Sequence, residues 1–364
     1  MSASKGCSRQ LRVLIAMTLS SAIAAPAFSA EVTNKLPPRT IRDLEKNEVK
    51  VKPDPPTDVI PQQAIEQYRR FLELESKNEK LRAEAMRRLG DLQVEVDEDA
   101  RGTDEFGGLQ VGEAVQLYEG LLGSYPNYER NDVVMYQLSR AYEAQAQPEK
   151  ALGVLDKLVT TYPRSQWFIE SQFRRGEILF SSGRYRDAEA AYTAVTVPGA
   201  DSGFFEQGLY KLGWSLFKQS RGDESVSAFL RMLDRVLVDD GRMRERDSLT
   251  RPERELTDDA LRAIAITYSD LEGPESLDAA LMQRGDPPYA HQIYEALGNL
   301  YIEKERYQDA ALAYEAFAKR RPDSRYAPSL QMRTIEAYSK GGFASLVIEG
   351  KQAFVERYAF GSAF

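Results

Sequence analysis

The chain of 364 residues holds one histidine and one cysteine, so the side chains that most often act as general base, nucleophile or soft metal ligand are nearly absent. His291 and Glu295 stand four residues apart and would share a helical face, but two ligands do not close a zinc site. The expectation for His291 is a helix-entry or surface position. Asp97, Asp99 and Gly102 follow part of a calcium-loop pattern; Arg101 then falls on a ligand position and Gly108 where a closing Glu is required, so the segment reads as a solvated acidic loop. Carboxylates such as Glu177 have no catalytic partner at motif spacing, and the sequence contains no Ser, His and Asp arrangement, no P-loop and no glycine-rich dinucleotide turn. It therefore predicts a protein that is not an enzyme, with no catalytic residues, no metal and no cofactor.

What remains to carry function is surface, and the composition limits which surface. Apolar residues make up 42% and charged residues 29% of the chain, which supplies a core and excludes intrinsic disorder and collagen-like classes. Lys and Arg number 48 against 56 Asp and Glu, a net charge of −8. That balance argues against a nucleic-acid footprint and against attraction to anionic surfaces.

Residues 1–30 read as a secretory signal peptide. Lys5, Arg9 and Arg12 stand before or at the start of an apolar run from Leu11 to Ala25, and small residues follow around Ala27 to Ala30. Neither this run nor any later one is long and apolar enough to predict a transmembrane span. Cys7 precedes the apolar run, whereas an acylated lipoprotein Cys must follow it, so direct lipid anchoring is disfavoured. Removal of the leader would take the net charge from −8 to −11 and leave no Cys. The predicted location is the bacterial periplasm, with a peripheral association with the outer membrane as one arrangement. Residues 31–60, with Pro37, Pro38, Pro53, Pro55 and Pro56 among mixed charges, read as an extended linker or arm.

From Pro61 onward apolar residues recur at spacings of three and four, the helical period, with turns marked by Gly, Pro, Asp and Ser. A residue opening every second helix gives the register Ala114, Ala151, Ala188, Ser225, Leu277, Ala310 and Val347, at intervals of 37, 37, 37, 52, 33 and 37. A period near that length marks a stacked helical array. The 52-residue interval contains a charged stretch from Asp239 to Glu255, read as a surface loop.

Inside each period the residues resemble the tetratricopeptide repeat (TPR). The clearest unit has Tyr294, Leu297, Gly298 and Tyr301, then Tyr307, Ala310, Tyr314, Phe317 and Pro322. Further units carry Met135, Leu138, Ser139, Tyr142, Ala151 and Pro163; Gly176, Leu179, Tyr185, Ala188 and Tyr192; and Leu209, Leu212, Gly213, Ser225 and Phe229. Ala64, Tyr68 and Phe71 look like an orphan second helix at the N-terminal end. The resemblance implies an all-α, right-handed solenoid of six or seven helical hairpins over residues 61–364, some degenerate.

It also implies a concave groove lined by the first helix of each hairpin. The groove positions of the repeat fall on Tyr136, Arg140, Phe173, Glu177, Phe180, Tyr210, Trp214, Phe217, Lys218, Glu295 and Asn299. This is a mainly aromatic lining with isolated charges, the residue types enriched in binding hot spots. The Lys and Asn pattern by which some members hold a peptide C-terminus is missing, since Tyr136, Arg140, Phe173 and Glu177 occupy the early positions. Segments such as Tyr162-Pro163-Arg164-Ser165 look like those of bacterial envelope tetratricopeptide proteins. The expectation is thus a periplasmic scaffold binding envelope proteins or peptide segments, with an accessory glycan-binding subunit, for peptidoglycan or an exported polysaccharide, as the alternative for the same rings. The final residues, after Val347 and Phe354, offer no polar helix to cover the last apolar face, so self-association, a partner or continuation into a longer array is expected there.

Overall fold

The three- and four-residue spacing that begins at Pro61 becomes helix after helix. The computed structural model describes residues 61–75, 77–101, 109–197, 202–362 and 364. The leader, the Pro-rich arm and most of the acidic insert lie outside the described residues. The helices are α1 (Pro61–Leu74), α2 (Glu79–Arg101), α3 (Leu109–Ser124), α4 (Asn131–Ala144), α5 (Pro148–Thr161), α6 (Phe168–Ser181), α7 (Tyr185–Thr196) and α8 (Phe205–Lys218). They continue with α9 (Gly222–Leu237), α10 (Arg251–Ser269), α11 (Pro274–Arg284), α12 (Ala290–Glu303), α13 (Tyr307–Arg320), α14 (Ala327–Lys340) and α15 (Ala344–Tyr358). Most helices pack chiefly on their sequence neighbours, and the described residues form seven hairpins from α2/α3 to α14/α15. The architecture is the expected all-α solenoid, with α1 as a lone second helix before the first hairpin.

The register read from small residues is the register of the packing. Ala114, Ala151, Ala188, Ser225 and Ala310 are fully buried in α3, α5, α7, α9 and α13, and Leu277 is buried in α11; Val347, in α15, is only half-buried. The turns between the two helices of a hairpin repeat a left-handed residue: Ala146, Gly183, Ser220, Glu305 and Gly342 all have positive φ. Gly adopts that conformation freely, while Ala146, Ser220 and Glu305 adopt it against the steric preference of a Cβ.

Inside four hairpins a glycine of the first helix lies against an aromatic ring of the second. A methyl group on Gly90 would sit 2.7 Å from Tyr118, on Gly176 2.5 Å from Tyr192 and on Gly213 2.7 Å from Phe229; Gly298 is tighter still against Tyr314. Where the ring is a tyrosine, its hydroxyl donates to the residue after the glycine: Tyr118 to Asp91 (2.8 Å), Tyr192 to Glu177 (2.5 Å) and Tyr314 to Asn299 (2.8 Å). The hairpins without the glycine have also lost the ring, holding Ser139 with Leu155 and Ala265 with Leu281 at the corresponding positions. In the last hairpin the small residue has changed sides, and a Cβ on Gly350 would meet Ile335 at 3.0 Å.

The buried apolar residues form two large clusters that meet in α8, where Phe205 and Leu209 belong to one and Leu212 and Leu216 to the other. Two departures from the sequence expectations follow the same physics. Asp97 lies in α2 and is buried, so it is not part of a solvated loop. The stretch after α9 is not simply a loop: β1 (Val238–Asp239) pairs antiparallel with β2 (Arg242–Met243), a 3-10 turn covers Arg246–Ser248, and Thr250 and Glu253 close a capping box at the start of α10. Arg244 holds this insertion down by donating to the Val236 carbonyl (2.9 Å) and Glu253 (2.8 Å). After it, α10 packs directly on α12, with α11 set aside. Among the described residues no helix is long and apolar enough to cross a membrane.

The glycine and its ring should be thermodynamically coupled. Gly298→Ala alone overpacks the hairpin and should lower stability by about 1–3 kcal/mol, and Tyr314→Leu alone opens a cavity and removes one of the two donors to Asn299. The double variant rebuilds the Ala265 and Leu281 pairing, and chemical denaturation should find it less destabilised than the sum of the singles. Strict additivity would show that the pair is not a unit.

Candidate partner-binding face

Successive first helices meet along one face and are joined there by polar contacts. Between α4 and α6, Tyr136 donates to Glu170 (2.6 Å) and Arg174 to Glu143 (3.1 Å). Lys211 of α8 reaches Glu177 of α6 at 2.7 Å, and Tyr210 of α8 donates to Asp259 of α10 at 3.0 Å. Arg262 of α10 binds Glu303 of α12 at 3.1 Å, and Arg333 of α14 binds both Glu295 (2.7 Å) and Asn299 (3.0 Å) of α12. Each junction from α4 to α14 thus carries at least one such link.

Several expected groove residues are therefore occupied in holding the array. Tyr136 is a correction: it is 4% exposed, its ring stacked on Trp167 at 4.0 Å, and burial together with the Glu170 bond pushes its hydroxyl up to about 12. It is packing rather than contact surface. Glu177, Glu295 and Asn299 accept the bonds just described, and Arg140 donates to Gln137 at 3.3 Å. Phe173 is half-buried between Phe204 (5.2 Å) and Tyr192 (6.0 Å).

Phe180, Tyr210, Trp214, Phe217 and Lys218 form the continuous part. Trp214 lies edge-on to Tyr210 (6.3 Å), Phe217 (5.4 Å) and Phe229 (5.7 Å), and all of these but Phe229 are half-buried. Phe180 of α6 joins them through Lys211, whose ammonium stands 5.8 Å over its ring, and Lys218 is exposed at the end of α8. Rings held from behind by packing and open in front supply contact area without loss of side-chain freedom on binding.

A second concavity was not legible in the sequence. A cleft of about 500 Å³ opens between α10 and α12, lined among others by Arg246, Asp258, Arg262, His291, Glu295 and Asn299. Arg246 is delivered by the 3-10 turn of the insertion and binds Asp258 through both oxygens at 2.9 and 2.7 Å. His291 is at a helix entry as expected, but it is not at the surface. It is buried, stacked on Tyr326 at 3.5 Å with Phe317 edge-on at 6.1 Å. Burial holds its imidazole down at about 4; the Pro288 carbonyl opposes that fall and the Arg325 charge adds to it.

The sign of the consequence is clear. Above pH ~6.5 the ring is neutral folded or unfolded, whereas between that pH and about 4 the unfolded chain takes up a proton that the folded chain refuses. Stability should therefore fall through this window by up to about 3 kcal/mol, and the fall should be smaller in His291→Gln, measured by denaturant titration at pH 7.5 and 4.5. An equal fall in both proteins would remove His291 as the cause.

Family models of the tetratricopeptide repeat match residues 133–165, which span α4 and α5, and residues 173–236 and 295–327, which span α6 to α9 and α12 with α13. Among curated protein sequences nothing matches the chain. Solved structures similar to it include repeats of a putative kinesin light chain of Podosopora anserina (14% identity, 64% of this chain and 100% of that one, TM-score 0.38). Others are MamA (17%, 51% and 88%, 0.35) and the C-terminal part of a TPR protein of Cytophaga hutchinsonii (12%, 80% and 94%, 0.40). At these identities and scores nothing about partners or assembly passes from them to this chain. The matched segments coincide with hairpins that carry the small-residue register, and these hairpins are tetratricopeptide repeats.

Proposed function

We propose that the chain is an exported scaffold of the bacterial cell envelope that holds a segment of another protein against the α6 and α8 face. Tetratricopeptide arrays present stacked helices to protein partners, and the matched hairpins include those that build that face. The observation that carries the reading is the half-buried row of Phe180, Trp214 and Phe217 bordered by Lys211 and Lys218. Lys211 is paired with Glu177, so the exposed Lys218 is the charge on offer, and it suits an extended segment with apolar side chains and a nearby carboxylate. Export rests on the leader composition of residues 1–30, and the Pro-rich composition of residues 31–60 suits an extended arm before the array.

Crosslinking in the native cell, with capture of the full chain and identification of its adducts, tests the site. Trp214→Ala with Phe217→Ala should reduce capture of defined envelope proteins about 30-fold, the loss of one hot spot, while Tyr136→Phe should leave it unchanged. The same adducts in both would place binding elsewhere. Retention on purified sacculi without any captured protein would substitute a glycan for the peptide on the same rings. Fractionation of the cell tests the compartment, and recovery of the chain in the cytosol would overturn export.

A further inference from the structure

Two successive first helices, α6 and α8, are each preceded by a half-buried aromatic residue, Trp167 and Phe204. Each ring packs on the first helix of the hairpin before it, Trp167 on Tyr136 of α4 at 4.0 Å and Phe204 on Phe173 of α6 at 5.2 Å. The corresponding residues are Arg130 before α4, Thr250 before α10 and the fully buried Tyr289 before α12, so two accessible rings side by side belong to α6 and α8. A pocket of about 320 Å³ opens at these rings, with Ile169 and Gly203 among its walls and Gln166 exposed at its edge. That volume is at the lower end for ligand sites, and apolar walls of this kind suit one side chain of a longer ligand. Glu170, also on the wall, is paired with Arg174 at 2.9 Å and accepts from Tyr136, so its charge is already matched.

The pocket and the aromatic row are the two ends of one seam. Phe180 stands thirteen residues after Trp167, and Phe217 thirteen after Phe204, which at helical rise is about 20 Å on either side of the seam. Between the ends, Phe173 touches Phe204, and Lys211 of α8 reaches Glu177 of α6 and stands over the Phe180 ring. An extended chain advances about 3.3 Å per residue, so it covers the same distance in about six residues. Six is an even number, and side chains that far apart on an extended chain point to the same side.

We infer that the pocket at Trp167 and Phe204 is a second anchor for the partner segment held on the α6 and α8 face, and that this segment is an extended stretch with two apolar side chains about six residues apart. One side chain enters the pocket, the other lies on Phe180, Trp214 and Phe217, and the carboxylate of the segment stands at the Lys218 end. The inference rests on the reading of the aromatic row as a partner site and adds to it the length and spacing of the motif that the partner must carry.

The test places the photo-crosslinker p-benzoylphenylalanine in the full chain, once at Gln166 and once in place of Phe217, and maps the adducts formed in the native cell to single residues of the partner. Both positions should mark one segment of one protein, at sites about six residues apart. Gly203→Leu fills the pocket; a Cβ on Gly203 meets nothing within 4 Å, so melting should not change. The yield at Phe217 should nevertheless fall about tenfold in that variant, the loss of one buried apolar side chain. Adducts at Phe217 with none at Gln166, or a yield indifferent to Gly203→Leu, overturn the second anchor and leave the row standing. Adducts at Gln166 alone overturn the row and with it the two-anchor segment. Different proteins at the two positions overturn the inference, and so do marks about thirteen residues apart, the spacing of a bound helix. No adduct at either position overturns both readings.

Discussion

The array depends on how closely two helices of a hairpin can approach. Without a Cβ on Gly90, Gly176, Gly213 or Gly298, the ring of the second helix slides over the backbone of the first and fills the space a side chain would have taken. The tyrosine hydroxyl then emerges on the far side, beside Asp91, Glu177 or Asn299. One apolar contact therefore decides where a polar group appears on the first-helix face. Substitutions within the chain follow this logic: a first helix that gains a Cβ, at Ser139 or Ala265, is met by leucine in place of the ring.

That coupling explains the links between successive hairpins. Glu177 accepts Tyr192 from its own hairpin and Lys211 from the next, and Asn299 does the same with Tyr314 and Arg333. Such partly exposed pairs are each worth about 0–1 kcal/mol. Their effect lies in geometry: the carboxylate or amide is held from below and can accept from above in one register only. Burial of Leu155, Tyr192, Phe229 and Tyr314 supplies stability, and the polar row supplies alignment.

The fold was legible in the sequence because small residues recur where two helices touch, and burial there is nearly complete. What a surface position does was less legible, because a helical face does not say who stands opposite. Tyr136 occupies a groove position by spacing, but Trp167, at the end of a turn thirty-one residues on, lies flat upon it. His291 looked like a surface residue until Tyr326, from the turn before α14, covered it. The cleft between α10 and α12 was hidden because Arg246 belongs to an insertion of mixed charge whose hairpin and 3-10 turn have no period to read. The aromatic row on α8 was readable because Tyr210, Trp214 and Phe217 lie on one helix at spacings of four and three.

The bypass of α11 changes how the array behaves as a chain of coupled units. In a solenoid each unit is stabilised by its nearest neighbours, so disorder entering from one end travels as far as the neighbour terms permit. Elsewhere two helices relay each hairpin to the next, but from α9 to α12 the relay passes through α10, with α11 touching α10 and α13 only lightly. One apolar cluster runs from Phe205 in α8 through Ala260 to Tyr268 in α10 and on to Ala337 in α14, so α10 alone carries a continuity that two helices share elsewhere.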